Sequence, residues 1–316
     1  MKVLLVGLVL FLTSTLSFAN DAYPSKPIKI YTNVSAGGTI DLTARLLAEQ
    51  LQRTLNTPVV VMNMPGGHGT IASNFVKNAQ PDGYTLYLMS PAHVTSPFVM
   101  ETQYHPYNDF TFIGPLIRSP MALLTTSNSL KSFNEIKNVE QDEKLTYIAS
   151  NSGSGPHLAM MALELKLGKK FLFIPHKGAG PSLADFLGNR VDFGMYVLPT
   201  ALSIIGGNSQ VSAIAVSGDK RIPLLPDTPT FKELGIKDLS IDTYYGLIAP
   251  ANVPEHIVKN LNSTVNNIFN DSSFIKKLND QGLFPQQMSS SEFRKFVVKQ
   301  VDSSTEVLNY YKERVK

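Results

Sequence analysis

The residues best suited to chemistry form the stretch Asn33-Val34-Ser35-Ala36-Gly37-Gly38-Thr39-Ile40-Asp41, where an apolar run ending at Thr32 meets a helical pattern. Paired glycines remove the Cβ atoms that would block a ligand, and the first N–H groups of a helix have no intrahelical partner. Ser35 or Thr39 is placed to cap that helix. The chemistry on offer is recognition of an anion by main-chain donors. It is worth about 0.3–1 kcal/mol through the helix dipole and about 1.5–3 kcal/mol per hydrogen bond to a charged group. Asn33, Ser35, Ala36, Gly37, Gly38 and Thr39 are therefore candidate ligand contacts.

A second loop of the same design, Asn151-Ser152-Gly153-Ser154-Gly155 with His157 beyond it, also follows an apolar run and precedes a helical one. Ser90 and His93 follow a further run, His176 and Lys177 another, and Tyr196 completes the candidate set. His157 and His176 are possible donors to an anion, and Lys177 a positive charge beside it.

Catalysis would need a nucleophile with an oriented base, or paired carboxylates, and no such signature is present. Gly153-Ser154-Gly155 lacks the outer glycine of a nucleophile elbow. A hydrolase or lyase would have to use Ser90 with His93 or Ser154 with His157. Asp41, Asp82, Asp109, Asp185, Asp192 and Asp227 stand at turns or helix ends, where capping accounts for them; Asp41 is also placed to order the glycine loop. His68, His93, His105, His157, His176 and His256 are dispersed, none at i, i+4 with a glutamate, so neither a metal nor a cofactor is expected.

The elements that must position these loops alternate. Strands are expected at Ile28–Thr32, Val59–Met62 and Thr85–Met89, with helices Ile40–Leu55 and Thr70–Asn78 between them. A second block places strands at Thr146–Ala149, Phe171–Ile174, Asp192–Val197 and Val211–Val216, with helices His157–Leu167, Pro181–Leu187 and Pro199–Ile205. These are two parallel-sheet units. Phe110–Ile117, Ala122–Thr125 and Tyr244–Ile248 supply two crossings between them, and helices Pro254–Phe269, Ser272–Gln281 and Ser291–Tyr311 return to the first. The expected lobes are 20–122 with 246–316, and 123–245. Ligands bind outside the carboxyl ends of parallel strands, where the candidate residues fall.

The chain opens with Lys2, an apolar run from Val3 to Leu12 and the small-x-small pattern Ser17-Phe18-Ala19, which reads as a cleaved signal peptide over 1–19 and a periplasmic location. The sequence has no cysteine, which removes disulfides and lipoprotein processing. Hydrophobic residues at 43% and charged residues at 17% describe a globular chain. A net charge of +3 with no basic stripe of interleaved aromatics points away from nucleic acid and membrane surfaces.

Several motifs occur in one order: Tyr23-Pro24-Ser25-Lys26-Pro27-Ile28, Gly37-Gly38-x-x-Asp41 with Ala44-Arg45, and Val59 to Asn63 leading into Met64-Pro65-Gly66-Gly67. Pro81-Asp82-Gly83-Tyr84-Thr85-Leu86, Tyr107-x-Asp109-Phe110, Ser152 to Gly155 with His157, and Pro175-His176-Lys177-Gly178 follow. The series ends with Leu225-Pro226-Asp227-x-Pro229-Thr230, Glu233-x-Gly235 and Gly246-Leu247-x-Ala249-Pro250. Over nearly the whole mature chain this resembles the extracytoplasmic solute-binding proteins of tripartite tricarboxylate transporters, also called Bug proteins. The resemblance implies an α/β, two-lobed periplasmic binding protein fold of type II-like character. Its two doubly wound mixed or parallel sheets would flank a central cleft bridged by two crossover strands. It implies a monomer without enzyme activity that closes on a small organic carboxylate and delivers it to a large and a small integral membrane subunit. The loops matching Ser35–Thr39 and Asn151–Gly155 would pinch one carboxylate. Asn33-Val34 stand where the family usually has Pro-Phe or Pro-Tyr, His176 replaces a usual Tyr, Met62 a Glu, His68 a Gly and His105 an Asp. The body of the ligand is therefore expected to differ. A sensor that presents the bound acid to a signalling ectodomain needs the same closure and is the alternative reading.

Overall fold

Alternating apolar residues and turn glycines fold into two mixed sheets, each covered on both faces by helices, in a computed structural model of the chain. The structure describes residues 23–315 except 128, 141–144, 150–151, 177–178, 238 and 240. The expected signal peptide and the candidates Asn151 and Lys177 lie outside the described residues.

In the first lobe, β1 (Ile28–Thr32) lies between β2 (Val59–Asn63) and β3 (Thr85–Met89), parallel to both, with Ile30 opposite Val61 on one side and Leu86 on the other. Helices α1 (Thr39–Leu55) and α2 (Thr70–Lys77) link these strands, and α3 (Pro91–Val99) follows β3. The sheet continues through β10 (Thr243–Pro250), β4 (Phe110–Ser119) and β11 (Phe284–Gln286) in the order β11-β4-β10-β3-β1-β2. On one face Ile30, Leu86 and Leu88 meet Leu47 and Leu51 of α1, Leu261 of α8 (Glu255–Ile268) and Phe274 of α9 (Ser272–Asn279). The other face packs Tyr31, Tyr87 and Met89 against α2, α3 and Phe293 and Val297 of α10 (Ser290–Val315).

The second lobe has the order β7-β6-β8-β5-β9. Its strands are β5 (Met121–Thr126), β6 (Thr146–Ile148), β7 (Leu172–Phe173), β8 (Phe193–Val197) and β9 (Val211–Val216). Helices α4 (Phe133–Asn138) and α5 (Gly155–Leu167) cover one face, α6 (Ala179–Leu187) and α7 (Leu198–Gly207) the other.

The sheets are not the purely parallel units that periodicity suggests. Strand β10 runs antiparallel to β3 and β4, and β5 antiparallel to β8 and β9. The reason is connectivity. The chain leaves the first sheet along β4, turns at Pro120 straight into β5, and comes back as β10, so the crossing strands enter each sheet against its parallel core. An ion pair ties the crossings together: Arg118 at the end of β4 donates to Asp242 just before β10 at 2.9 Å. Ser217 donates to the same carboxylate and accepts the Met121 N–H at 2.8 Å. Burial raises the Asp242 pKa despite both donors.

Helix α10 begins on the first lobe behind a reciprocal cap, Ser289 N–H to the Glu292 carboxylate at 2.8 Å and Glu292 N–H to the Ser289 hydroxyl at 3.3 Å. Its last turns reach the second lobe, where Arg314 pairs with Glu164 of α5. No helix among the described residues is long and apolar enough to cross a membrane.

Candidate functional site

The β1–α1 loop is exposed from Ser35 to Gly38. Gly38 is the N-cap of α1, with φ −87° and ψ 173°, and no side chain caps the helix there, so neither Ser35 nor Thr39 takes the capping role the sequence suggested. The first helical bond runs from Leu42 N–H to Gly38 O, which leaves the amides of Thr39, Ile40 and Asp41 ahead of it. A Cβ on Gly38 would find nothing within 4 Å. Here the backbone can be approached.

Asp41 shapes this loop. Its Oδ2 accepts the Gly37 N–H at 3.0 Å and Arg45 Nε at 2.9 Å, and its Oδ1 accepts Asn63 Nδ2 at 2.9 Å. Gly37 sits at φ +93°, which a side chain would strain, and its N–H is spent inside the loop rather than offered to a ligand. Burial pushes the Asp41 pKa up, but the Arg45, Gly37 and Asn63 donors together outweigh it and the net shift is downward.

The second loop is organised by His157. Gly153, at φ +72°, donates its N–H to His157 Nδ1 at 2.9 Å, and Ser154 caps α5 by accepting the His157 N–H at 3.4 Å. Burial, then the Arg314 charge and His68, lower the His157 pKa to about 4, so the ring is neutral at pH 7. Because Nδ1 accepts, the proton is on Nε2, which is buried without a partner. Ser152 Oγ lies 3.1 Å from Tyr311 Oη on α10.

The lobes meet at both loops. Thr39 Oγ1 of α1 is 3.2 Å from Thr200 Oγ1 in the first turn of α7. His68, in the short 3-10 turn Gly67–Gly69 after β2, rests on Gly153: a Cβ built there would be 3.2 Å from His68 Cε1. The adjoining Gly69 packs on Asn33, whose Nδ2 would be 2.7 Å from a Cβ on that glycine. Asn33 thus connects the first loop to the turn that touches the second. His68 was absent from the sequence-derived set; its place among three glycines was the available signal.

Other candidates stand apart. His93 is fully buried, donates from Nε2 to Pro106 O at 3.0 Å and accepts the Ser73 hydroxyl at Nδ1, 2.9 Å away. Its ring stacks on Tyr104, and burial lowers its pKa to about 4, which makes it a core histidine. Ser90 is 5% exposed at the start of α3. His176 is turned to its own lobe, with Nδ1 on Ile174 O at 2.9 Å and Nε2 on Asp185 at 2.8 Å. Asp185, expected as a cap, is instead an ion-pair centre: His176, then Arg190, lower its pKa. Tyr196 is 5% exposed in the core beneath α6 and α7. A cavity of about 70 Å³ lies between the lobes beside α10, lined by Thr95, Met121, Gly155, Asp242, Tyr244 and Ser304 among others. It touches α5 at Gly155 and does not include the Ser35–Thr39 loop.

In each serine–histidine pairing the imidazole is committed elsewhere, His157 Nδ1 to Gly153 N–H and both His93 nitrogens to Ser73 and Pro106. Among the described residues no group of acidic and histidine side chains could hold a metal ion.

Comparison with known proteins places these features in context. Residues 43–312 match the family described as tripartite tricarboxylate transporter family receptor, TctC. A UPF0065 protein from the TAR-I ttuE-ttuC' intergenic region of Agrobacterium vitis is 31% identical, over 84% of this chain and 78% of that relative. Among solved structures, R. palustris Rpa4515 with adipate is 28% identical, with a TM-score of 0.85 over 92% of this chain and 98% of its own. MatC from Rhodopseudomonas palustris with bound malate is 26% identical, with a TM-score of 0.81 over 90% of this chain and 100% of its own.

Proposed function

As the chain belongs to the tripartite tricarboxylate transporter family of receptors, we propose that it is a periplasmic solute-binding protein that captures a small organic carboxylate between its lobes. The observation that carries this reading is the exposed Ser35–Gly38 loop. Its backbone is free of side chains at Gly38, and Thr39 beside it meets Thr200 of the opposite lobe. The first-turn amides of α1 lie ahead of its first helical bond, and a carboxylate bound at them gains their hydrogen bonds and the dipole term without an arginine. Structures of similar fold that carry malate and adipate support the ligand class.

In this reading Ser152 to Gly155 and His157 supply the second half of the site, and the His68 turn, which touches Gly153 on one side and Asn33 on the other, links them to the first loop. Ligand binding favours the closed arrangement because only there do both loops contact one anion. A net free energy of about 8 kcal/mol gives micromolar affinity, which a few charge-assisted bonds reach after ordering costs. The loaded protein hands its cargo to integral membrane subunits and does not transform it. Residues 1–19 direct its export.

A thermal-shift screen of dicarboxylates including malate and adipate tests the reading. A ligand at a hundred times its Kd stabilises the fold by about 2.7 kcal/mol. Binding partners in the panel should also shrink the radius of gyration in small-angle scattering. Failure of every carboxylate to raise the melting temperature would overturn it.

A further inference from the structure

The turn Gly66-Gly67-His68-Gly69 has positive φ at every residue, +118°, +54°, +50° and +92°, and His68 is the one that carries a side chain. A left-handed backbone strains any residue that carries a Cβ, so glycine would sit here more cheaply. The imidazole offsets that cost with a contact no glycine makes. It lies over Gly153, 3.2 Å at Cε1 and 3.3 Å at Nδ1 from the space a Cβ would fill, and is half-buried there.

Both sides of this contact are rigidly held. Ser96 Oγ donates to His68 O at 2.8 Å, Gly69 N–H bonds Gly66 O at 3.0 Å, and Gly69 abuts Asn33. Across the junction, Gly153 is fixed by its bond to His157, and Ser152 by Tyr311. The Tyr311 hydroxyl would also lie 3.3 Å from a Cβ on Gly153, so that residue is enclosed from two directions.

We propose that His68 is a cross-lobe latch, a positioning residue whose ring closes on Gly153 and holds the two ligand loops in register. It rests on the carboxylate-binding reading and adds to it the group that sets how long the lobes stay shut. Because the contact forms only when the lobes have met, its loss shifts the ligand-free population towards open lobes and speeds ligand release.

The test uses His68→Gly and His68→Asn in the full mature chain. Both suit the left-handed backbone, and neither reaches Gly153. The expected result is an unchanged or higher melting temperature, a larger radius of gyration without ligand, and about fivefold faster release of malate or adipate at a little-changed association rate. If either variant kept the wild-type release rate and dimensions, the latch would be refuted while the binding reading stood. If no carboxylate of the panel bound wild-type protein, the binding reading would fail and the ligand-free scattering would still decide the latch, equal dimensions overturning it.

Discussion

Arg314, in the last turns of α10, forms an ion pair with Glu164 of α5, a residue 150 positions earlier whose side chain is wholly buried. The same carboxylate accepts the Phe171 N–H at 2.7 Å, and the Arg314 guanidinium also donates to Phe171 O at 3.2 Å. The chain terminus of a helix rooted in the first lobe is thereby fastened inside the second. This fixes Tyr311 one turn earlier, against Ser152.

Arg314→Met should therefore destabilise the fold by about 3–5 kcal/mol, since it leaves a buried carboxylate without its counter-charge. Glu164→Gln with Arg314→Met, which removes both charges, should recover part of the loss. Urea melts of the two variants check this. Equal midpoints for Arg314→Met and wild type would show that the pair contributes nothing.

Acid should unfold the protein through two histidines. His93 and His157 have pKa values lowered from 6.5 to about 4 by burial, so below 6.5 the unfolded chain takes up protons that the folded one refuses. The stability that these two neutral rings supply is full above about pH 6.5 and is lost as pH drops towards 4, below which their contribution is constant. Each group accounts for about 3 kcal/mol of that fall. Melting temperatures from pH 7.5 to 4 should show the decline, and His157→Gln should make it shallower. A flat profile over that window would contradict the buried, neutral rings.

Much of this architecture is legible in the sequence because burial leaves a period. Leu47 and Leu51 of α1, and Ile257, Leu261, Val265 and Ile268 of α8, recur at helical spacing and form the inner stripe. Helix α3 escapes such a reading: Pro97 lies inside it and its buried residues include His93, Thr95 and Ser96, so no apolar stripe marks it. Strand β11 is three residues long and half-exposed, too short to show alternation. The sense of β10 depends on where β4 and β5 lead the chain, a long-range matter that spacing does not encode.

Site residues divide along the same line. The glycines of both loops announce themselves, Gly37 and Gly153 because their positive φ favours glycine and Gly38 as the open N-cap of α1. Side-chain partners do not: whether a histidine turns to the cleft or to the core depends on neighbours such as Ser73 and Pro106 for His93, or Asp185 for His176. The first-turn position of Asp41 suggests a residue that orders the glycine loop, and its carboxylate accepts the Gly37 N–H.

The two glycines of the first loop should respond oppositely to substitution. Gly37 has φ +93°, so Gly37→Ala strains the backbone and lowers the melting temperature. Gly38 has φ −87° with nothing within 4 Å of a Cβ, so Gly38→Val has room and should still fold, with only a modest loss of stability from the poorer N-cap. Its isopropyl group would nevertheless stand over the first-turn amides at which the carboxylate is proposed to dock. Loss of one such bond is worth about 1.5–3 kcal/mol, or about 10–150-fold in Kd. Calorimetric titration with whichever dicarboxylate binds wild type measures it. Retained affinity in a well-folded Gly38→Val protein would place the anion elsewhere, with the cavity beside α10 as the next position to probe.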